Sequence, residues 1–416
     1  MTYDFSDPRL SDLKQRYPET PDSIILKADM LREGIRYTEA LAEIGQWAIP
    51  SGTFLSREDI PGKEPGGKSI FLLPNQMILA DDTRINTELD RSSPYTIRKE
   101  GDDAYAVCRH DRPVAEVSFP RRPTFTQTLS DGSPIERPLG QRAESCAALV
   151  HTAFCEYAKN NDQCAFCRIG NASVKRRPSR HWQPNRSIEA CGLAAKQIDI
   201  RHIVVSGGAF VNTTLEAKSY AKTISALRKA VGPEARITAV CQAFDEAGWI
   251  MLKDAGASRV QPNLEVWDER LWKEIVPGKA KAVGKAEWVE RLKVAVDIFG
   301  VGEVATNFVA GAELAIKKGF AAPEDAIESH LEGYTFLLDH NIVPVFGFLT
   351  KGKGTRYEGG ELPTTEFYLT LGWERTQLMK ASGMSARYGS GIDADFSCYK
   401  CVTHKTCQDY PRLLKG

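Results

Sequence analysis

TAFCEYAKNNDQCAFCRIG, residues 152–170, sets Cys155, Cys164 and Cys167 in a C-x8-C-x2-C pattern. Three thiolates on one short loop can hold three irons of a [4Fe-4S] cluster and leave the fourth iron open to an outside ligand. Cys-x-x-Cys alone also serves zinc sites and redox pairs. A third cysteine just upstream and an aromatic, Phe166, before the last one narrow the reading towards iron. A zinc knuckle or buried free thiols are the alternatives. Cys146 lies nearby but within the apolar run SCAALV, which reads as a strand, so Cys155 is the preferred first ligand.

Outward from this loop, strand patterns alternate with amphipathic helices. Strands are expected at Ala147–Thr152, His202–Ser206, Arg236–Cys241, Arg259–Leu264, Val304–Val309 and Ile342–Phe348. Helices are expected near Ile188–Gln197, Leu215–Val231, Ala247–Ala255, Lys285–Phe299 and Pro323–His340. The second places Leu215, Tyr220, Ile224, Leu227 and Val231 at helical spacing, and Gly232 and Gly256 stand where C-terminal caps belong. Strand-then-helix repetition predicts an α/β fold with a parallel sheet covered by helices, six units making a partial (β/α)6 TIM-type barrel. Chemistry in such barrels gathers at the C-terminal ends of the strands, and the cysteine loop follows the first strand.

Residues 1–140 read as an N-terminal α+β accessory region, 141–360 as the barrel, and 361–416 as a C-terminal helix and cysteine-rich extension. In the first region a helical pattern near Ile24–Trp47 precedes short strands at Ser69–Leu73, Gln76–Ala80, Tyr105–Arg109 and Val114–Phe119. Pro120, Pro123, Asp131–Gly132 and Pro134 suggest a linker. In the last region a helix near Thr364–Ala381 precedes Cys398, Cys401 and Cys407, a C-x2-C-x5-C set with His404 between the last two. With His404 the four could close a tetrahedral zinc site.

The 416 residues are 42% hydrophobic and 26% charged, with 54 Lys plus Arg against 54 Asp plus Glu. That balance gives no global field towards nucleic acid or membrane, and no apolar run approaches a membrane span. Ten cysteines and a start without a signal-peptide layout point to metal or redox chemistry in the cytoplasm.

The cysteine loop resembles that of radical S-adenosylmethionine (SAM) enzymes, whose usual pattern is C-x3-C-x2-C with an aromatic where Phe166 stands. The first gap here is eight residues. The fold this family implies is the same partial barrel. The end of the second strand, Ser206-Gly207-Gly208-Ala209, matches a stretch, often Gly-Gly-Glu, that binds the amino group of SAM; Ala209 replaces the Glu, which leaves the contact to backbone carbonyls. A plain strand-to-helix turn is the alternative. Asn263-Leu264-Glu265 is similar to the biotin-synthase-like branch, which implies a SAM contact for Glu265; a salt bridge to a Lys or Arg is the rival reading. The fifth strand, with Asn307 and Val309, resembles the adenine-binding strand and the Gly-x-Glu that follows it, with a structural role as the alternative for Glu313.

Several subfamilies carry an auxiliary iron–sulfur cluster in a C-terminal extension, which the Cys398 group resembles. The resemblance implies a small-molecule substrate, a reducing partner such as flavodoxin or ferredoxin, and reductive cleavage of SAM to a 5'-deoxyadenosyl radical that abstracts hydrogen. Sulfur insertion or exchange is one expected outcome, and a rearrangement, oxidation or C–C bond step another. A zinc-binding, non-enzymatic module is the third. Pro277-Gly278-Lys279-Ala280-Lys281 lacks the full P-loop pattern and reads as a solvated loop, with a phosphate or carboxylate site as its alternative. Cys241 at the end of the third strand reads as core packing, or as a hydrogen donor at the barrel mouth.

Overall fold

The computed structural model describes residues 3–50, 73–168, 184–352 and 354–384. The C-terminal set Cys398, Cys401, His404 and Cys407 lies outside the described residues, as does most of the strand expected at Ser69–Leu73.

Three helices open the chain: α1 (Pro8–Arg16), α2 (Asp22–Glu33) and α3 (Glu39–Trp47). Asp7 caps α1 by accepting from the Arg9 and Leu10 amides, and Thr38 caps α3 through the Leu41 amide. The single helical pattern expected near Ile24–Trp47 is thus two helices, broken at Gly34, whose φ is +76°. An antiparallel sheet follows: β1 (Gln76–Leu79), β2 (Arg84–Asn86), β3 (Tyr95–Gly101), β4 (Ala104–Arg109) and β5 (Arg112–Ser118), in the order β2-β1-β5-β4-β3. Strands β2 and β3 escaped the pattern because β2 has three residues and β3 turns charged and exposed after Ile97.

The linker carries a short α4 (Glu136–Leu139) and β6 (Gln141–Ala143), which pairs antiparallel with β7 (Cys146–Thr152). From β7 the chain alternates: α5 (Glu156–Lys159), α6 (Pro184–Ala194), β8 (His202–Gly207), α7 (Thr213–Val231), β9 (Arg236–Ala239), α8 (Glu246–Asp254), β10 (Arg259–Val260), α9 (Glu269–Ile275), α10 (Pro277–Ala282), α11 (Lys285–Phe299), β11 (Ala305–Ala310), α12 (Ala312–Ala315), α13 (Pro323–Asp339), β12 (Val343–Phe348) and α14 (Thr365–Ala381). Strands β7 to β10 pair in parallel in chain order, as do β11 and β12. Parallel bridges Val260–Val304 and Glu265–Phe308 join the two groups. Six parallel strands in sequence order with helical crossovers make an α/β ladder of the partial TIM-barrel kind.

Three expectations need correction. Leu215 is 56% exposed; the buried face of α7 is Glu216, Ala217, Tyr220, Thr223, Ile224 and Leu227, so a carboxylate holds a core position. The fourth strand is regular only over Arg259–Val260, because Pro262 has no N–H for the ladder and Glu265 turns to φ +76°. The segment read as a solvated loop is the helix α10, with Lys279 buried in it.

Most buried apolar side chains of the described residues form one continuous cluster running from Leu10 to Met384, with Ala143 and Cys146 a small separate one. Helix α14 packs against α2 and α13. At the first contact buried Asp29 accepts from the Tyr95 hydroxyl at 2.6 Å and from Thr365 Oγ1 at 2.7 Å.

Candidate active site at the strand ends

Strand β7 delivers the cysteine loop. Cys146 starts the strand, its Sγ 3.9 Å from His202 Nδ1, and six residues of strand rise, about 20 Å, separate it from Thr152. It therefore sits at the opposite end from the loop. Between Cys155 and Cys164 the eight-residue gap holds the single turn α5, closed by Asn161 at φ +60° and by the Asp162 amide donating to the Tyr157 carbonyl at 2.7 Å. The extra length is an added helical turn that carries the chain back, after which Cys164 and Cys167 share a tight turn (Cys167 N to Cys164 O, 3.0 Å).

Neighbouring strand ends clamp this loop. Glu156 N donates to Ala209 O at 2.8 Å, and Gly208 N to Thr152 O at 2.8 Å. Ala165 N donates to Ile275 O and Arg356 N to Ala165 O, at 2.8 and 2.9 Å. A Cβ on Gly208 would stand 2.0 Å from the Phe154 carbonyl oxygen, and one on Gly207 2.6 Å from the His151 ring. Both glycines are thus required by packing of the β8 end on the cysteine loop, whatever ligand their backbone also meets. Gly278 plays the same part on α10, where a Cβ would lie 2.4 Å from the Tyr157 ring. Lys281 reaches Asp162 at 2.6 Å from the surface.

Cys155, Cys164, Phe166 and Cys167 are half-buried. Burial pushes the Cys164 thiol well above its ordinary value; Lys279 pulls it back, while Cys167, Glu265 and Cys155 add to the rise. The three cysteines are therefore electrostatic neighbours, and Cys164 needs a compensating cation to ionise. Among the described residues no three His, Cys, Asp or Glu side chains converge as ligands of one ion. Three thiolates on one loop are the donor chemistry of a cubane cluster, which takes each thiolate on a different iron.

Around the loop, Ser206 is half-buried at the end of β8. On β11, Phe308 packs outward on Tyr334 and His330 of α13, so the half-buried Asn307 and Val309, one residue to either side, face the interior. Glu265 takes the salt-bridge reading: Lys279 Nζ lies 2.7 Å from its Oε1, donates to the Asn263 carbonyl at 2.7 Å and sits 4.9 Å over the Trp288 ring. Its left-handed backbone is held on both sides, Glu265 N to Asn307 O at 2.8 Å and Val309 N to Glu265 O at 2.7 Å. Glu313 is buried against His330. Cys241 stands just past β9, its thiol 3.7 Å from the Ala239 carbonyl, and burial holds its pKa high, as a packed side chain requires.

One buried group escaped the sequence reading. Glu216 lies behind the cysteine loop, and burial lifts its carboxyl from 4.5 to about 7 against the hydrogen bonds of Phe210 and Gln242. Its signal was an acid, Glu216, in register with the apolar Tyr220, Ile224 and Leu227 on one helix face.

No protein-family model and no curated protein matches the sequence. Solved structures similar to the chain include a methylornithine synthase, at 14% identity and a TM-score of 0.41 over 58% of this chain and 66% of that one. Coproporphyrinogen III oxidase from Escherichia coli, described as a radical SAM enzyme, is 14% identical, with a TM-score of 0.39 over 63% of this chain and 59% of its own. A radical SAM methyltransferase from Sphaerobacter thermophilus is 13% identical, with a TM-score of 0.37 over 90% and 91%. The chain thus spans about two thirds or less of the first two. At these scores the likenesses carry no argument, and the site's chemistry rests on its own residues.

Proposed function

We propose that the chain is a radical SAM enzyme acting on a small molecule, with Cys155, Cys164 and Cys167 as the ligands of a [4Fe-4S] cluster. The observation that carries this reading is the placement of three thiols on one clamped loop after the first of six parallel strands. When bound, the cluster would supply one electron for reductive cleavage of SAM, the source of the 5'-deoxyadenosyl radical that would take hydrogen from substrate. The protein's share is to hold the reactants close and exclude water. Backbone carbonyls of Ser206, Gly207 and Gly208 would take the methionine amino group, since Ala209 offers no carboxylate. Asn307 and Val309 face the interior where the adenosine would lie. Glu265, held by Lys279, meets a ligand only through its remaining acceptor capacity. Phe166, between the last two thiols in sequence, is partly buried against the core and would shield them.

The finer reading gives Cys398, Cys401 and Cys407 an auxiliary iron–sulfur cluster, with zinc and His404 as the alternative. That cluster would serve sulfur insertion or exchange, or else accept an electron or anchor substrate during a rearrangement, oxidation or C–C bond step. A reductant such as flavodoxin or ferredoxin would supply the electron. The test is iron, sulfide and zinc content after anaerobic reconstitution, in wild type and in a Cys398→Ala, Cys401→Ala, Cys407→Ala variant. About eight irons falling to about four support two clusters. Zinc lost from the variant with iron unchanged makes the extension a structural zinc site. No iron in either overturns the enzyme reading.

A further inference from the structure

Behind the cysteine loop lies a buried polar chain that none of the assigned roles uses. Gln242, just past β9, donates its Nε2 to Glu216 Oε2 at 2.7 Å and to the Phe210 carbonyl at 2.7 Å. Glu216 Oε2 also accepts from the Phe210 amide at 2.6 Å, and Oε1 from the Gln242 amide at 3.4 Å. The Tyr157 hydroxyl donates to Gln242 Oε1. Tyr157 lies on α5, two residues after Cys155. Glu216, Gln242 and Tyr157 are 1%, 3% and 3% exposed, so water does not replace a lost partner.

The inventory of donors decides the orientations. Both neighbours of Gln242 Nε2 are oxygens that accept, so the amide nitrogen must face them and its oxygen must face Tyr157. A flipped amide would put oxygen against two acceptors and NH2 against the hydroxyl. Glu216 and the Phe210 carbonyl, whose own amide Glu216 holds, together fix the one amide orientation in which Tyr157 can donate.

We infer that Glu216 is a positioning residue: through Gln242 it locks Tyr157, and with it α5 and the cysteine loop, in place. The lock needs an acceptor at Oε2 and no charge, since a neutral carboxyl or an amide keeps a carbonyl oxygen there. The relevance of the lock to a cluster rests on the proposed function, but the lock is made of protein groups alone and is tested in the metal-free chain.

The experiment is hydrogen–deuterium exchange over residues 153–168 of the metal-free, full-length protein, in wild type and in Glu216→Gln, Glu216→Leu and Tyr157→Phe. Leu337→Ala, which empties a core position on α13 away from the loop, serves as a control for general destabilisation. All are compared at equal distance below their own melting temperatures. Glu216→Leu and Tyr157→Phe should speed exchange in 153–168 by about tenfold, the order expected for one lost buried hydrogen bond. Glu216→Gln should stay near wild type, and Leu337→Ala should leave this segment unchanged. Wild-type exchange in Glu216→Leu and Tyr157→Phe overturns the inference, as does an equal rise in Leu337→Ala. Iron content after reconstitution is measured in parallel: a wild type without iron defeats the cluster reading and leaves the exchange result to decide the lock.

Discussion

Replacing Gly208 by alanine is the sharpest single perturbation of the cysteine loop. The new Cβ would stand 2.0 Å from the Phe154 carbonyl oxygen, 2.5 Å from its carbon and 2.9 Å from the Cys155 amide nitrogen. All three are backbone atoms, so no side chain can swing aside, and relief requires the β8 end or the loop to move by roughly 1 Å to restore van der Waals contact. Overpacking of this kind costs about 1–3 kcal/mol. The hydrogen bonds Gly208 N to Thr152 O and Glu156 N to Ala209 O span the same gap, and each adds about 1 kcal/mol if lost. The expected total is about 2–5 kcal/mol, with the cysteines displaced from one another. Calorimetry should show melting lowered by several degrees, and iron retained after anaerobic reconstitution should fall. Gly101→Ala is the matched control, since its Cβ meets nothing nearer than Ala104 Cβ at 3.9 Å. A Gly208→Ala protein with wild-type melting and iron content would refute the packing argument.

Lys279→Met should destabilise by about 3–5 kcal/mol, because it leaves the buried Glu265 carboxylate without its cation; Lys279→Met with Glu265→Gln should recover much of that loss in urea unfolding. Glu216 has its folded pKa near 7, above the ordinary 4.5. Between those values the folded chain holds a proton the unfolded chain has released, so stability should fall as pH rises from 4.5 to 7, by about 3 kcal/mol in all, and level off above. Urea midpoints at pH 5, 6, 7 and 8 should show that slope in wild type and lose it in Glu216→Gln. Glu366, held at about 2 by hydrogen bonds from Arg9 and the nearby charge of Arg16, works in the opposite sense. Its contribution is complete above pH 4.5 and lost as pH falls towards 2; with both arginines partly exposed it amounts to about 1–2 kcal/mol, which Glu366→Gln should remove in acid titration of stability.

Much of the barrel was legible in the chain because its signals are local. Apolar β-branched runs such as His202–Gly207 and periodic stretches such as Lys285–Phe299 follow from side-chain periods alone. The cysteine spacing was equally plain, and so was the direction of approach, since the loop follows a strand. What periodicity could not tell was which polar residue faces which. Leu215 and Glu216 are neighbours, and only the docking of α7 on β7 and β9 decides that the acid is buried and the leucine exposed. Glu265 and Lys279 are fourteen residues apart, with two helices beginning between them, and their pairing depends on the backbone turning to φ +76° after Pro262.

The sequence by itself determined the order of strands and helices and the residue types gathered at their ends, because hydrophobic period and thiol spacing are written along one dimension. Tertiary structure decided that Gly208 is needed for contact with Phe154, that the long cysteine gap is one helical turn, and that Lys279 neutralises Glu265. The first and third are close approaches between segments separated in the chain, and excluded volume and charge pairing act only once the fold has brought them together; the turn is local, but the Gly278 amide on the Asp162 carbonyl holds it in place.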